Sequence, residues 1–132
     1  MYMLDTDICI YIINKKTIKL AKKIASVPAE SICISTITQA ELEYGVYVNS
    51  SYEQNRNKLL SFIKLVDILQ FDESAAMQYG IIRADLKRIN RKIGPIDMLI
   101  AAHAISTKRI LATNNERDFR KIDRLVIENW IK

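Results

Sequence analysis

The stretch Met1-Tyr2-Met3-Leu4-Asp5-Thr6-Asp7-Ile8 decides how this chain is expected to fold. Hydrophobic residues lead directly into an acid, a hydroxyl residue and a second acid. The hydrophobic run is too short for anything but a buried strand. In an open parallel sheet, ligands bind in the crevice beyond the carboxyl ends of the strands. Asp5 therefore has two readings. It is an acid in that crevice, or Asp5 or Thr6 simply caps the next helix.

Composition narrows the class of protein. The 132 residues predict one domain over the whole chain, 1–132, with 49% hydrophobic and 27% charged residues, a globular profile. No apolar run approaches the roughly 18 residues of a membrane span, and the start lacks a secretion signal, so we expect a cytoplasmic protein. Cys9 and Cys33 are separate and the chain has one histidine, which argues against a zinc site. Any metal must be held by oxygen, and the net charge of +5 favours an anionic partner.

Strand and helix patterns alternate along the rest of the chain. The periodicity predicts helices over residues 8–13, 17–27, 37–48, 54–63, from 72 or 74 to about 92, and 96–106. Short hydrophobic runs predict further strands at 31–35, 65–69, 109–113 and, at an edge, 124–127, with a polar link at 49–53 and a polar loop at 114–119. This order predicts a single α/β domain of three layers, α/β/α, around a parallel sheet of four or five strands.

Glu41 lies on a helical stripe that is otherwise apolar or aromatic, with Ile37, Ala40, Tyr44 and Val48. A carboxylate in such a place must be paired, protonated or bound to a cation. The alternative is local: Thr38-Gln39-Ala40-Glu41 fits a capping box, in which the Glu41 side chain would return to a backbone N–H.

Asp97 follows Gly94-Pro95, a pair that ends one element and begins another helix. It falls in the first turn of that helix, where the helix dipole alone would favour a negative charge. Glu116 and Asp118 stand in the polar loop after the strand at 109–113. Asp5, Glu41, Asp97 and Asp118 thus all fall where a strand ends or a helix begins, on one side of the predicted sheet.

Carboxylates brought together repel one another unless cations neutralise them. Oxygen ligands with open water positions suit Mg²⁺ or Mn²⁺, and such a site can activate water for attack on a phosphodiester.

Two other features of the sequence are interpreted as structural rather than catalytic. His103 is expected to be a hydrogen-bonded core residue, and the basic flank of Arg83, Lys87, Arg88, Arg91 and Lys92 a solvated helix face.

Several segments together resemble the PIN-domain ribonucleases and, among them, the VapC toxins of bacterial toxin–antitoxin pairs. The resemblance covers essentially the whole chain. The matching segments are Met3-Leu4-Asp5-Thr6, Thr38-Gln39-Ala40-Glu41-Leu42-Glu43-Tyr44-Gly45, Ile93-Gly94-Pro95-Ile96-Asp97-Met98-Leu99-Ile100-Ala101-Ala102-His103-Ala104, Thr113-Asn114-Asn115-Glu116-Arg117-Asp118-Phe119 and Glu128-Asn129-Trp130.

The resemblance implies roles for particular residues. Asp5, Glu41 and Asp97 match the acids that hold the metal in the family, and Asp118 matches a fourth, more variable acid. Thr6 and Thr113 match supporting hydroxyl positions. The resemblance also implies a VapB-type antitoxin, a homodimer, and contact with operator DNA only through the antitoxin.

Two positions depart from the family pattern. Asp7 stands where many relatives have Asn, which adds a negative charge beside Asp5. Asn115 stands where other PIN domains place an acid, so Asp118 or Glu116 could supply the fourth carboxylate.

The predicted function is therefore that of a Mg²⁺-dependent endoribonuclease. tRNA is a candidate substrate, and we expect no contact with a membrane. Asp5 and Asp97 would bind the metal, Glu41 would complete its shell or act through water, and Asp118 would position a second metal or the attacking water. The product would carry a 5′-phosphate. We also expect the antitoxin to insert Arg or Lys towards the acids and to lie on Ile12, Ile13 and residues 44–47.

Two alternatives belong to other classes. Asp5-Thr6-Asp7 after a strand resembles the two-aspartate loop of haloacid-dehalogenase phosphotransferases, although Ile8-Cys9 stand where that family has Gly-Thr. A trapped phospho-aspartate would favour that enzyme. The chain could instead be a basic nucleic-acid-binding subunit whose acids are helix caps, and RNA binding without cleavage in Mg²⁺ would favour that role.

Overall fold

A parallel sheet of five strands runs through the centre of the molecule in the order β3-β2-β1-β4-β5. The computed structural model describes residues 1–15, 17–48 and 50–132. The strands are β1 Tyr2–Leu4, β2 Ile32–Ser35, β3 Asp67–Leu69, β4 Ile110–Ala112 and β5 Ile127–Glu128. Strand β1 pairs with β2 through Tyr2 and Ile32 on one side and with β4 through Tyr2 and Ile110 on the other. The chain therefore builds outward from β1 in one direction and then in the other, which makes the β1–β4 boundary a topological switch point.

Helices cover both faces of the sheet, which confirms the three-layer α/β/α prediction with five strands. They are α1 Thr6–Ile13, α2 Ile18–Ser26, α3 Thr36–Tyr47, α4 Tyr52–Ile63, α5 Glu73–Arg88, α6 Pro95–Ser106 and α7 Glu116–Phe119, with a 3-10 turn at Ala29–Ser31. Among the described residues, no helix is both long and apolar enough to cross a membrane.

Alternate strand residues supply two separate cores, one on each face. Met3, Cys33 and Leu111 pack against α5 and α6, whereas Leu4 and Ile34 pack against α1 to α4. Both faces are buried because successive side chains of a strand point to opposite sides and helices cover each side. Cys9 and Cys33 are free and buried within these cores.

Side-chain caps explain most of the differences between predicted and observed helix boundaries. Helix α1 begins at Thr6 rather than residue 8, because the Asp5 carboxylate accepts the Thr6 backbone N–H at 2.9 Å. Thr17 caps α2 by accepting from Leu20 at 3.0 Å, and Asp72 caps α5 by accepting from Ala75 at 3.0 Å. Of the predicted polar link at 49–53, Asn49 lies outside the described residues, and α4 already begins at Tyr52.

Two predictions near the carboxyl end of the chain were wrong in detail. The stretch 114–119 is not wholly a loop, because residues 116–119 form the single-turn helix α7, whose Phe119 is buried. The edge strand is Ile127–Glu128 rather than 124–127. Leu125 lies in a turn, where its N–H donates to the Ile122 carbonyl at 3.2 Å. Its side chain packs in the core.

Candidate active site

Asp5 lies directly after β1, at the switch point of the sheet, and only 4% of it is exposed. One carboxylate oxygen accepts the Thr6 N–H and the other accepts the Thr113 hydroxyl at 2.7 Å. Thr113 follows β4, the neighbour of β1, so the pairing of those two strands brings the side chains together. Both sequence interpretations of Asp5 hold in part, because the residue caps α1 and also lies in the crevice.

Asp7 connects the start of α1 to the segment after β4. Its carboxylate accepts the Ile8 N–H at 2.7 Å and the Asn114 N–H at 3.0 Å. Thr113 strengthens the same corner, since its hydroxyl oxygen also accepts the Asn115 N–H at 2.9 Å. The extra acid therefore holds the 113–115 segment against α1 and adds negative charge near Asp5.

Glu41 reaches the same crevice from the second turn of α3. The Thr6 hydroxyl donates to Glu41 Oε1 at 2.5 Å, and the Thr6 and Thr38 hydroxyl oxygens lie 3.4 Å apart. The capping-box alternative does not hold, because Ser35 caps α3 through the Ile37 N–H at 3.0 Å and leaves Glu41 too far along the helix for that role. Glu41 is instead held by a side chain from α1.

The side-chain amide of Asn115 forms hydrogen bonds with both Asp97 and Asp118. Asn115 Nδ2 donates to Asp97 Oδ2 at 3.3 Å and to Asp118 Oδ2 at 3.2 Å. Asp97 stands in the first turn of α6 after Pro95, as predicted. Asn115 thus occupies the place between two carboxylates and links α6 to α7.

Glu116 contacts other residues than these acids. Its carboxylate accepts from Asn129 at 2.9 Å and pairs with Arg120 at 2.6 Å and with Lys132 at 3.2 Å. The acid therefore ties α7 to the end of the chain. Of the two acids left open by the sequence, the structure brings Asp118, and not Glu116, into contact with the residues around Asp97.

Negative charge at this edge is poorly compensated. Within the described residues, neither Asp5, Asp7, Glu41 nor Asp97 forms a salt bridge. Glu43, two residues beyond Glu41, provides a contrast because it pairs with Arg56 at 2.6 Å. The unpaired acids therefore produce a local negative field on a chain whose net charge is positive.

The pKa values of these acids reflect burial first and neighbouring charges second. Burial, and next the charge of Asp7, raise the pKa of Asp5 from 3.8 to about 8. Burial also raises the pKa of Asp7. Burial raises the pKa of Asp97 too, followed by the charges of Glu41, Asp118 and Asp7. Asp118 differs, because the hydrogen bond from Asn115, and then Lys121, hold its pKa below the usual value. A cation would relieve the first three groups.

The carboxylates do not form a ready-made metal cage. Within 1–15, 17–48 and 50–132, no three acid, His or Cys side chains stand close enough together to ligate one ion. Thr113 donates to Asp5, Thr6 donates to Glu41, and Asn115 donates to both Asp97 and Asp118. The assignment of Asp5, Glu41, Asp97 and Asp118 as catalytic or metal-binding residues stays a prediction, as does the supporting role of Thr6, Asp7, Thr113 and Asn115.

Sequence reasoning missed Thr38 and Lys121. Thr38 is fully buried next to Thr6, and no local pattern distinguishes it from other helix threonines. Lys121 Nζ lies 3.2 Å from Asp118 Oδ1 and donates to the Lys92 carbonyl at 3.0 Å. The spacing of three residues between Asp118 and Lys121 was the available signal, since such pairs are neighbours on a helix.

His103 plays the structural part that was predicted for it. It is 1% exposed, and its Nδ1 lies 2.7 Å from the Ser35 hydroxyl oxygen. Its ring also stands edge-on to Phe71, with the ring centres 5.5 Å apart. Burial lowers its pKa, which favours the neutral form of the imidazole.

Comparison with known proteins places the chain in a family. Residues 2–125 match the PIN domain. Ribonuclease VapC2 of Rickettsia felis is 40% identical, and the match covers 100% of this chain and 99% of that protein. The tRNA(fMet)-specific endonuclease VapC of Shigella flexneri is 38% identical over 98% of this chain and 97% of the relative.

A solved complex agrees with these matches. The crystal structure of VapBC2 from Rickettsia felis, bound to a DNA fragment from their promoter, contains a chain that superimposes with a TM-score of 0.93 at 40% identity, over 98% of both chains. The fold, the family match and the full-length sequence similarity thus agree, and the chain belongs to the VapC ribonucleases of the PIN-domain family.

Proposed function

We propose that this protein is a Mg²⁺- or Mn²⁺-dependent endoribonuclease, and the toxin of a cytoplasmic toxin–antitoxin pair, with residues 1–132 forming the nuclease domain. The observation that supports this most directly lies at the β1–β4 switch point, where Asp5, Glu41 and Asp97 have no salt-bridge partner among the described residues. Relatives of matching length are named ribonuclease and tRNA-specific endonuclease, which supports RNA as the substrate and tRNA as the first RNA to test.

The donor groups fit a hard divalent cation. Asp5, Glu41 and Asp97 offer carboxylate oxygens only, and oxygen ligands suit Mg²⁺ and Mn²⁺. The raised pKa values of Asp5 and Asp97 are those of acids without a compensating positive charge. A bound divalent ion would lower the pKa of a water molecule and stabilise negative charge on the phosphate. Asp118 would contribute a further carboxylate on the α7 side.

Hydrogen bonds from neighbouring side chains orient the carboxylates of the candidate site. The Thr113 hydroxyl fixes Asp5, and the Thr6 hydroxyl fixes Glu41. Asn115 keeps Asp97 and Asp118 on the same side of the crevice by donating to both. Because Asp5, Glu41 and Asp97 each accept a hydrogen bond from a residue distant in the sequence, their positions depend on the packing of the domain.

The alternatives receive less support. A haloacid-dehalogenase phosphotransferase would require a different family, whereas the match over residues 2–125 is to the PIN domain. A non-catalytic subunit would use its acids as caps, but only Asp5 of the acids proposed here caps a helix. RNA bound in Mg²⁺ but left intact would revive that alternative.

The decisive experiment compares the wild-type protein with Asp97→Asn on tRNA in Mg²⁺. We expect the variant to fold and to lose cleavage, and the wild-type products to carry 5′-phosphates, which sequencing of RNA 5′ ends would detect. Asp85→Asn is the matched control, since Asp85 is an exposed acid on α5 paired with Arg88. Full activity of Asp97→Asn would refute the assignment.

A VapB-type antitoxin is the proposed partner, because the Rickettsia felis relative was solved as a VapBC2 complex on promoter DNA. We propose that operator DNA is likewise contacted through the antitoxin and that the toxin forms a homodimer. A groove of about 310 Å³ between α1, α3 and α4 extends from Glu41 past Ile10, Ile13, Gly45 and Val46. It is suited to an apolar segment of the antitoxin.

The surface predicted from the sequence agrees only partly with this groove. Tyr44 and Tyr47 are 70% and 68% exposed, and Ile13 lines the groove. Ile12 does not line it and packs in part against the core. An antitoxin tail in the groove could direct an Arg or Lys towards the unpaired acids, since guanidinium and carboxylate form strong paired hydrogen bonds.

A further inference from the structure

A second groove, lined by basic side chains, lies where α5 ends and the following loop leads into α6. It is distinct from the groove between α1, α3 and α4. Its volume is about 310 Å³, and Arg83, Lys87, Arg91 and Lys92 line it with the buried side chains of Ile93 and Met98. No acid is among the lining residues. The sequence alone favoured a solvated helix face here, but such faces usually interleave charges of both signs.

The cations of this groove are largely unused by the fold. Within the described parts of the chain, Lys87, Arg91 and Lys92 form no salt bridge. The nearby Arg88 behaves differently, because it pairs with Asp85 at 2.6 Å. The positive charges of the groove are therefore available to an anion from outside.

The backbone that carries these cations is well held. Asn90 adopts a left-handed conformation with φ of 54°, and the Arg91 N–H donates to the Leu86 carbonyl at 2.9 Å. This hydrogen bond, with that from the Asn90 N–H to the Lys87 carbonyl at 3.1 Å, closes the end of α5 as a Schellman motif. A fixed loop reduces the entropy lost when a ligand binds.

The groove and the candidate active site share the start of α6. The loop runs from Lys92 to Pro95 and places Asp97 in the first turn of α6, directly before the groove residue Met98. Lys121 bridges the two regions, since its ammonium group contacts both the Lys92 carbonyl and Asp118. A phosphate chain bound in the groove would therefore lie next to Asp97 and Asp118.

We propose that this groove binds the phosphodiester backbone of the RNA next to the scissile bond, an inference that rests on the proposed ribonuclease function. Lysine and arginine contacts to phosphates are independent of base sequence, so the groove would contribute affinity and orientation rather than sequence choice. RNA would occupy the α5–α6 side, and the apolar groove on the α1–α3–α4 side would be left to the protein partner.

The test compares Lys87→Gln/Lys92→Gln with Lys19→Gln/Lys22→Gln. Both double variants lose the same charge by the same substitution, but Lys19 and Lys22 are exposed on α2, which packs with the opposite core. All proteins carry Asp97→Asn, so that a fluorescein-labelled single-stranded RNA of mixed sequence stays intact. Anisotropy titrations over a range of salt concentrations in Mg²⁺ report affinity.

We expect the groove variant to bind the RNA roughly tenfold more weakly at 0.1 M salt, with the slope of log Kd against log salt reduced by about 1.4, because two phosphate contacts to a single strand are lost. The control should keep the wild-type slope. In the proteins with Asp97 restored, the groove variant should show a raised KM for cleavage with kcat nearly unchanged.

Equal RNA affinity and salt slope in the groove and control variants would overturn the RNA path. The same holds if the groove variant lost antitoxin binding but retained RNA affinity, which would make the groove a protein-binding surface. The proposed function fails separately, if the protein with all its native residues does not cleave RNA in Mg²⁺. The binding comparison still decides the groove in that case, because it does not depend on cleavage.

Discussion

The substitution Asp5→Asn should stabilise the metal-free protein at neutral pH and destabilise it in acid. In the folded state the pKa of Asp5 is raised from 3.8 to about 8, mainly by burial. A raised pKa in an acid means that the folded protein binds the proton more tightly than the unfolded chain. The contribution of Asp5 to the free energy of unfolding is therefore fully present below about pH 4 and is lost as the pH rises from about 4 to about 8.

The size of the effect follows from this window. At pH 7 the unfolded chain gains about 4 kcal/mol from ionising Asp5, which the folded protein largely forgoes. Asn has no charge to bury, and it still caps a helix well, so the bond from the Thr6 N–H at 2.9 Å should survive in Asp5→Asn. The Thr113 hydroxyl, now 2.7 Å from a carboxylate oxygen, would lose its acceptor at a cost of about 2 kcal/mol.

The net expectation at pH 7 is a gain of about 2 kcal/mol for Asp5→Asn, which is roughly 6 °C in Tm for a domain of this size. At pH 4 and below, only the lost hydrogen bond remains, so the variant should be less stable than the wild-type protein by about 2 kcal/mol. The two stability curves should cross near pH 5.

Urea unfolding in EDTA, followed by circular dichroism from pH 3.5 to 8, measures both curves. EDTA removes divalent ions, which would otherwise stabilise the wild-type protein selectively. Asp85→Asn, at an exposed acid on α5, controls for the loss of an acid as such. A constant difference between Asp5→Asn and the wild-type protein across this range would show that Asp5 is already ionised in the fold and would refute the reasoning.

Further predictions concern catalysis and control. Glu41→Gln should reduce tRNA cleavage roughly a hundredfold or more at nearly unchanged stability, whereas Glu53→Gln on α4 should not, and equal initial rates would return Glu41 to a structural role. Thr6→Val removes the hydroxyl that donates to Glu41 at 2.5 Å and should cost about tenfold in activity, with a higher Mg²⁺ concentration needed for half-maximal cleavage. Inhibition by the antitoxin should weaken as Mg²⁺ rises, because two cations compete for one set of acids; inhibition independent of Mg²⁺ and of the antitoxin's basic residues would leave steric cover as the mechanism.

Much of the fold could be predicted because its signals are local. Helical periodicity and short hydrophobic runs indicated the alternating elements, and Gly94-Pro95 correctly marked the start of α6. The observed helix boundaries differ from the predicted ones where a side-chain cap sets the first residue of the helix, as at Asp5 and Thr17. The α7 turn and the late edge strand were missed, because burial of Phe119 and Leu125 outweighed the polar character of their neighbours.

The sequence by itself determined that acids would follow strands and begin helices, and that oxygen would be the donor type for any metal. Only the tertiary structure decided which acids meet. Thr113 and Asp5 are 108 residues apart, and Thr6 and Glu41 are 35 apart, so their contacts depend on strand order, which periodicity does not encode. For the same reason only the packed chain separates Asp118, held beside Asp97 by Asn115, from Glu116, which is neutralised by Lys132 and Arg120.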